Sequence, residues 1–205
     1  MKKGLAIIGI ACAAIAAYFI FTDKKKSFED ALPVLQHTVS ASKNSDAFNT
    51  PFTKVLNSYF SLHEALVNWD SAKANLAADS LRMQLAKVPY NELAVADSIK
   101  EKAKNLSEST AAEVDGFIAE NTLDDKRKSF YTLSEYLYSL IKTVHYDKQV
   151  IYHDKCPMAF NESEAAFWIS NSAEIINPYF GNKHPHYKSG MMHCGNIEDS
   201  VDYRQ

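Results

Sequence analysis

The sequence predicts an all-α fold: an up-and-down four-helix bundle with an irregular, aromatic- and cysteine-rich C-terminal cap, preceded by one N-terminal transmembrane or signal segment. Three observations predict the bundle. Apolar residues recur every three or four positions from about residue 52 to residue 144. Short turn-forming segments divide this region into four stretches, as in antiparallel helical bundles. No alternating apolar–polar pattern of useful length, typical of a strand, interrupts the stretches.

The chain begins with an uncharged apolar run at residues 5–21, which lysines flank on both sides. Its length lies at the lower limit for a helix that spans a bilayer. We favour an uncleaved membrane anchor. A cleaved signal peptide is the alternative, with Ala14-Ile15-Ala16 as the small residues before the cut. In both cases the body is expected on the periplasmic side of the inner membrane, anchored by the segment or exported after cleavage.

We predict three regions along the chain. Residues 1–26 form the signal or anchor segment, and residues 27–50 form a linker with one short helix near residues 28–42. Residues 51–205 form the helical domain with its C-terminal segment rich in Cys, Met and His. A polar, turn-rich stretch from Ser42 to Pro51 marks the boundary before the domain.

The first two helices of the domain are predicted at about residues 52–68 and 72–87. Phe52, Val55, Tyr59 and Leu66 contribute to one apolar stripe of the first helix. Asp70 and Ser71 are favourable caps for the second helix, and Pro89 ends it.

The third helix is predicted at about residues 92–120, where apolar positions alternate in steps of three and four. Thr122 and Asp125 resemble a capping box that starts the fourth helix. We interpret His63 and His145 as core or boundary residues rather than ligands, because each lies on or beside an apolar stripe.

Charge and motifs exclude several classes of function. Residues 1–26 carry five lysines and one aspartate, so the rest of the chain is more acidic than the whole, whose net charge is −3. An acidic body argues against nucleic-acid binding. No nucleophile–base set, phosphate loop or paired carboxylate motif is evident, so we do not expect an enzyme.

The segment from Gln149 onward differs from the helices because the helical period fades and aromatic, proline and glycine residues accumulate. We predict an irregular cap with one short helix near residues 162–170. Soft and borderline metal ligands concentrate in two arms of this segment. The candidate metal ligands are Cys156, Met158, His184, His186, Met191, Met192, His193 and Cys194.

Thiolate and thioether sulfur select Cu(I) or Ag(I), and imidazole is compatible with them, so the two arms predict a soft-metal site if they fold together. A structural disulfide between Cys156 and Cys194 is the open alternative and would stabilise the fold by about 4 kcal/mol. Zinc is disfavoured because no Cys-x-x-Cys pair is present.

The chain resembles the domain of unknown function family 3347 over about residues 51–201. The C-terminal resemblance rests on Cys156-Pro157-Met158-Ala159, on Asn177-Pro178-Tyr179-Phe180-Gly181 and on Met191-Met192-His193-Cys194-Gly195. Residues 59–66 resemble part of the family's first helix. In residues 182–190 the chain departs from the simplest version of the motif, because the stretch with His184 and His186 is longer.

The family occurs alone in exported proteins and fused to periplasmic adaptors of copper and silver efflux systems. The resemblance therefore implies a soft-metal-binding accessory protein whose partner is an efflux-system or other periplasmic protein. The alternative function is a metal-free interaction module that a Cys156–Cys194 disulfide stabilises.

Overall fold

The computed structural model describes residues 43–204. The apolar run at residues 5–21 and the short helix predicted near residues 28–42 lie outside the described residues. Within residues 43–204, no helix combines the length and the hydropathy needed to cross a membrane.

Four helices form the first part of the described chain, as the apolar periodicity predicted. They are α1 (Asp46–Val67), α2 (Ser71–Leu85), α3 (Asp97–Ala119) and α4 (Leu123–Val144), with a short 3-10 turn at Tyr90–Glu92. The predicted caps are confirmed: the Asp70 side chain accepts a hydrogen bond from the Lys73 amide, and Thr122 accepts one from Asp125. Each satisfies an amide that has no partner within its helix.

Helix α1 begins earlier than predicted. The sequence predicted its start at Phe52, but the helix begins at Asp46 with Ser45 as its cap and contains Pro51. Phe48 is fully buried and stacks on Phe52 with ring centroids 5.4 Å apart. The free energy gained by burying Phe48 offsets the cost of the backbone hydrogen bond that Pro51 removes from the helix.

All four helices contribute to the core, which includes a contact between α1 and α4. Tyr59 of α1 is fully buried and stacks on Phe130 of α4 at 5.2 Å. Its hydroxyl forms hydrogen bonds of 2.7 Å with Ser134 and 3.1 Å with the backbone amide of Ile169. A buried hydroxyl without hydrogen bonds would destabilise the fold, so these two bonds hold Ser134 and the backbone of Ile169 against Tyr59.

The C-terminal segment is a three-stranded antiparallel sheet, so the all-α prediction is wrong there. The strands are β1 (Ile151–Phe160), β2 (Glu164–Ser170) and β3 (Asn196–Val201), in the order β2-β1-β3. The short helix predicted near residues 162–170 is therefore corrected to the β1–β2 turn and strand β2. Asn161 and Glu162 both have positive φ, which makes the tight turn of a hairpin.

Strand β1 packs on α4 through aromatic side chains. The imidazole of His153 lies between the rings of Tyr138 at 4.2 Å and Phe167 at 4.9 Å, and its Nε2 is 2.7 Å from Glu135. Tyr138 also donates a 2.7 Å hydrogen bond to Asp199 of β3. The sheet is thus fixed to the same helix by stacking and by two carboxylates.

Arg127 of α4 joins the helices to the C-terminal segment from a buried position. Its guanidinium donates hydrogen bonds to the carbonyls of Pro178 (3.0 Å) and Leu66 (3.3 Å) and lies 4.0 Å above the ring of Trp69. Burial lowers its pKa to about 10, so the group stays charged at neutral pH.

Candidate functional site

The two cysteines of the described chain lie side by side. The Sγ atoms of Cys156 and Cys194 are 3.3 Å apart although the residues are 38 positions apart in the sequence, and both are free thiols. Cys156 is fully buried on β1, whereas Cys194 precedes β3 and is half-buried. The structure therefore brings together the two arms that the sequence analysis expected to meet.

Gly195 allows Cys194 to approach β1 so closely. Its φ is +142°, a backbone conformation that favours glycine, and an added Cβ would lie 2.6 Å from the carbonyl oxygen of Lys155 and 3.1 Å from Trp168. A larger residue at this position would push the Cys194 arm away from the strand.

Asn177 holds the same arm from its other side. Its side-chain amide donates to the Cys194 carbonyl at 2.8 Å, and its backbone amide donates to the Met192 carbonyl at 2.8 Å. The side-chain oxygen of Asn177 accepts from the amides of Tyr179 and Phe180. One fully buried asparagine therefore couples the Asn177–Gly181 motif to the arm that carries Cys194.

The electrostatic environment keeps Cys194 protonated. Burial raises the pKa of the Cys194 thiol to about 11, and the neighbouring Cys156 contributes to the rise. The reactive form of cysteine is the thiolate, so this environment is unfavourable for a nucleophile. Metal binding or oxidation at Cys194 must release its proton.

Residues 55–149 match the family described as Protein of unknown function (DUF3347). This match confirms the resemblance over most of the helical part. Strands β1, β2 and β3, and with them the paired cysteines, lie beyond the DUF3347 match. Neither the search of curated proteins nor the search of solved structures found a match.

The predicted thioether ligands are near the apolar core outside the DUF3347 match. Met158 and Met191 are half-buried and pack against the core, and Met192 is half-buried as well. Met158 follows Cys156 by two residues on β1, but the pairing register of β1 with β2 shifts between Cys156 and Phe160, so strand alternation does not fix the direction of the Met158 side chain.

The three predicted histidine ligands have other contacts. His193 is exposed and its Nδ1 donates to the Ile175 carbonyl at 2.8 Å. The His184 ring packs against Trp69 at 5.6 Å and Phe180 at 5.3 Å, and His186 is exposed beside Tyr187. Within residues 43–204, no set of three or more His, Cys, Asp or Glu side chains is arranged to hold a metal.

The two histidines on the helical stripes of the DUF3347 region differ in burial. His63 is half-buried, and its Nε2 lies 2.8 Å from the Ile176 carbonyl oxygen, in agreement with a boundary position. His145 is exposed at the C-terminal cap of α4 and stacks on Tyr203 at 4.6 Å.

Sequence reasoning missed Asp154, a fully buried carboxylate on β1. Neither carboxylate oxygen has a hydrogen-bond partner among the described residues. Trp168 lies opposite Asp154 in the β1–β2 pairing, and its Nε1 has no hydrogen-bond partner among these residues either. The nearby Ser170 hydroxyl donates to the Ser172 carbonyl instead. Burial raises the pKa of Asp154 to about 6. Strand alternation would not have indicated its burial either, because the consecutive residues His153 and Asp154 are both buried on β1.

Proposed function

We propose that the protein captures a soft monovalent metal ion, Cu(I) or Ag(I), between Cys156 and Cys194 and hands it on without catalysing a reaction. The 3.3 Å separation of the two sulfur atoms carries this proposal. Metal–thiolate bonds are about 2.3 Å long, so a shared ion with tetrahedral angles requires the sulfurs to separate by about half an ångström. A side-chain rotation supplies such a movement.

The chemistry of the neighbouring side chains favours a soft ion over zinc. The candidate ligands are the two thiolates and, in addition, the thioethers of Met158, Met191 and Met192. Sulfur ligands of this kind select Cu(I). A closed zinc site needs four nitrogen, oxygen or thiolate ligands, whereas no set of three is arranged within residues 43–204. His184, His186 and His193 stay predictions as additional ligands.

The cellular setting is part of the same proposal. We infer a periplasmic location on the inner membrane, with the apolar run at residues 5–21 as the anchor. The resemblance to domains fused to copper and silver efflux adaptors supports an efflux-system protein as the partner that supplies or receives the ion.

A competition assay tests the metal proposal. The reduced full chain, in a mild detergent, should take Cu(I) from a calibrated chelator. The double variant Cys156→Ser, Met158→Leu should lose this ability, while Met83→Leu should retain it because Met83 is 53% exposed on α2. If the wild-type chain competes no better than the double variant, the proposal is wrong.

The second candidate is a metal-free interaction module closed by a Cys156–Cys194 disulfide. The same short sulfur–sulfur distance favours it, because oxidation by a disulfide-bearing oxidant would form the bond, transfer two hydrogens to the oxidant and reduce its disulfide. Mass measurement of protein taken from its native compartment without reductant distinguishes the two. A mass lower by two hydrogens, with no metal uptake after reduction, supports the interaction module.

A further inference from the structure

A pocket whose lining includes neither cysteine lies between the C-terminal half of α1 and the end of β2. Its volume is about 230 Å³. The walls include the apolar side chains of Phe60, Val67, Ile169 and Ile176. Pockets with apolar walls and few polar groups are typical of small-molecule sites, and the polar groups determine which ligand fits.

His63 is the first polar group of this pocket. Its Nε2 faces the Ile176 carbonyl oxygen at 2.8 Å, and because a carbonyl only accepts, Nε2 must carry the hydrogen. Burial lowers the pKa of His63 to about 4, so the ring is neutral at pH 7 and Nδ1 keeps a lone pair. Nδ1 of His63 has no hydrogen-bond partner among the described residues, and it is accessible to solvent. The imidazole therefore offers an acceptor.

The charged groups that line the pocket are also acceptors. Glu64 and Glu174 are exposed carboxylates, and no lysine or arginine is among the lining residues. The Ser170 hydroxyl already donates to the Ser172 carbonyl, so its oxygen is left to accept. Asn171 and Ser172 also line the pocket, but each can both donate and accept hydrogen bonds, so neither decides the charge of the ligand. The two carboxylates favour a positively charged ligand with hydrogen-bond donors over an anion.

We propose that this pocket binds a small primary amine with a compact apolar body, an aryl- or alkylammonium ion of about the size of benzylamine. The body packs against Phe60, Ile169 and Ile176, and the ammonium donates to Nδ1 of His63 and to the carboxylates at the mouth. The pocket shares no lining residue with the paired cysteines, so this proposal is independent of metal binding.

Titration of the full chain with three probes of the same body tests the proposal. Benzylamine is cationic at neutral pH, benzyl alcohol is neutral and benzoate is anionic. In amide-resolved NMR spectra, benzylamine should shift the signals of His63, Ile169 and Ile176 in a saturable manner. Benzyl alcohol should bind at least threefold more weakly, roughly the effect of a partly solvated ion pair, and benzoate should not bind.

Charge variants locate the interaction. The double variant Glu64→Gln, Glu174→Gln should weaken benzylamine binding by roughly threefold or more, and neither exposed side chain is needed for the fold. Glu101→Gln on α3 is the matched control and should leave binding unchanged. Equal binding of benzylamine and benzyl alcohol, or an unchanged affinity in the double variant, would show an apolar cavity without amine selectivity and would overturn the proposal. Signal shifts confined to distant residues would overturn it as well.

Discussion

Asp154 provides a sensitive test of the physical interpretation of the sheet. The carboxylate is fully buried with no hydrogen bond among the described residues, and burial raises its pKa from 3.8 to about 6. A raised pKa of an acid means that the native state resists ionisation. The contribution of Asp154 to the free energy of unfolding is therefore greatest below pH 3.8, is lost as the pH rises from 3.8 to about 6, and stays lost above that.

The magnitude follows from the shift of about two pKa units. Each unit corresponds to 1.36 kcal/mol, so ionised Asp154 reduces the free energy of unfolding by about 3 kcal/mol at pH 7.5. The variant Asp154→Asn removes the charge at nearly constant shape and should be more stable than the wild type by about that amount. At pH 4 the advantage should shrink to less than about 1 kcal/mol, because the wild-type carboxyl is then protonated in the native state.

Urea unfolding between pH 4 and pH 8, followed by tryptophan fluorescence, measures this difference. Glu108→Gln is a control on an exposed part of α3 and should follow the wild-type curve at every pH. An Asp154→Asn protein that is no more stable than the wild type at pH 7.5 would refute the reasoning. So would an advantage that does not diminish in acid.

Three further predictions address other groups. Burial lowers the pKa of His63 from 6.5 to about 4, so its contribution to the free energy of unfolding is present above pH 6.5 and falls by about 3 kcal/mol as the pH drops to 4. In urea unfolding, the variant His63→Gln should not show this decrease. Gly195→Ala should lower the free energy of unfolding by about 2 kcal/mol or more and should slow formation of the Cys156–Cys194 disulfide, measured by thiol titration against time. An unchanged rate would contradict the view that the close approach of Gly195 to Lys155 positions Cys194. Oxidation to the Cys156–Cys194 disulfide should raise the free energy of unfolding by about 4 kcal/mol, and Cys194→Ser should show no response to the oxidant.

The helices were predictable because each buries one face. In α4, Phe130, Leu133, Leu137 and Ile141 are fully buried and recur in steps of three and four, so periodicity alone identifies the helix. The early start of α1 was not predictable in the same way. Pro51 normally indicates a helix boundary, and only tertiary packing of Phe48 overrides it.

The sheet was missed because its strands do not alternate cleanly. In β2 the consecutive residues Trp168, Ile169 and Ser170 are all buried, and a short run of this kind has no period that distinguishes a strand from a helix. In β1 a register shift between His153 and Asp154 breaks the pattern again. The meeting of Cys156 and Cys194 was expected from residue types, whereas the contacts of His184 with Trp69 depend on long-range packing that sequence spacing does not encode.

Arg127 has a consequence for how this module could be moved between proteins. The family match ends at residue 149, but the guanidinium bonds to Pro178 well beyond that point. In a chain cut after residue 149, the buried Arg127 guanidinium would lose its hydrogen bond to the Pro178 carbonyl. Tyr59 would lose its hydrogen bond from the Ile169 amide, and Phe130 would lose its contact with the Tyr179 ring. A gene fusion that preserves the folded helices must therefore carry the strands together with them.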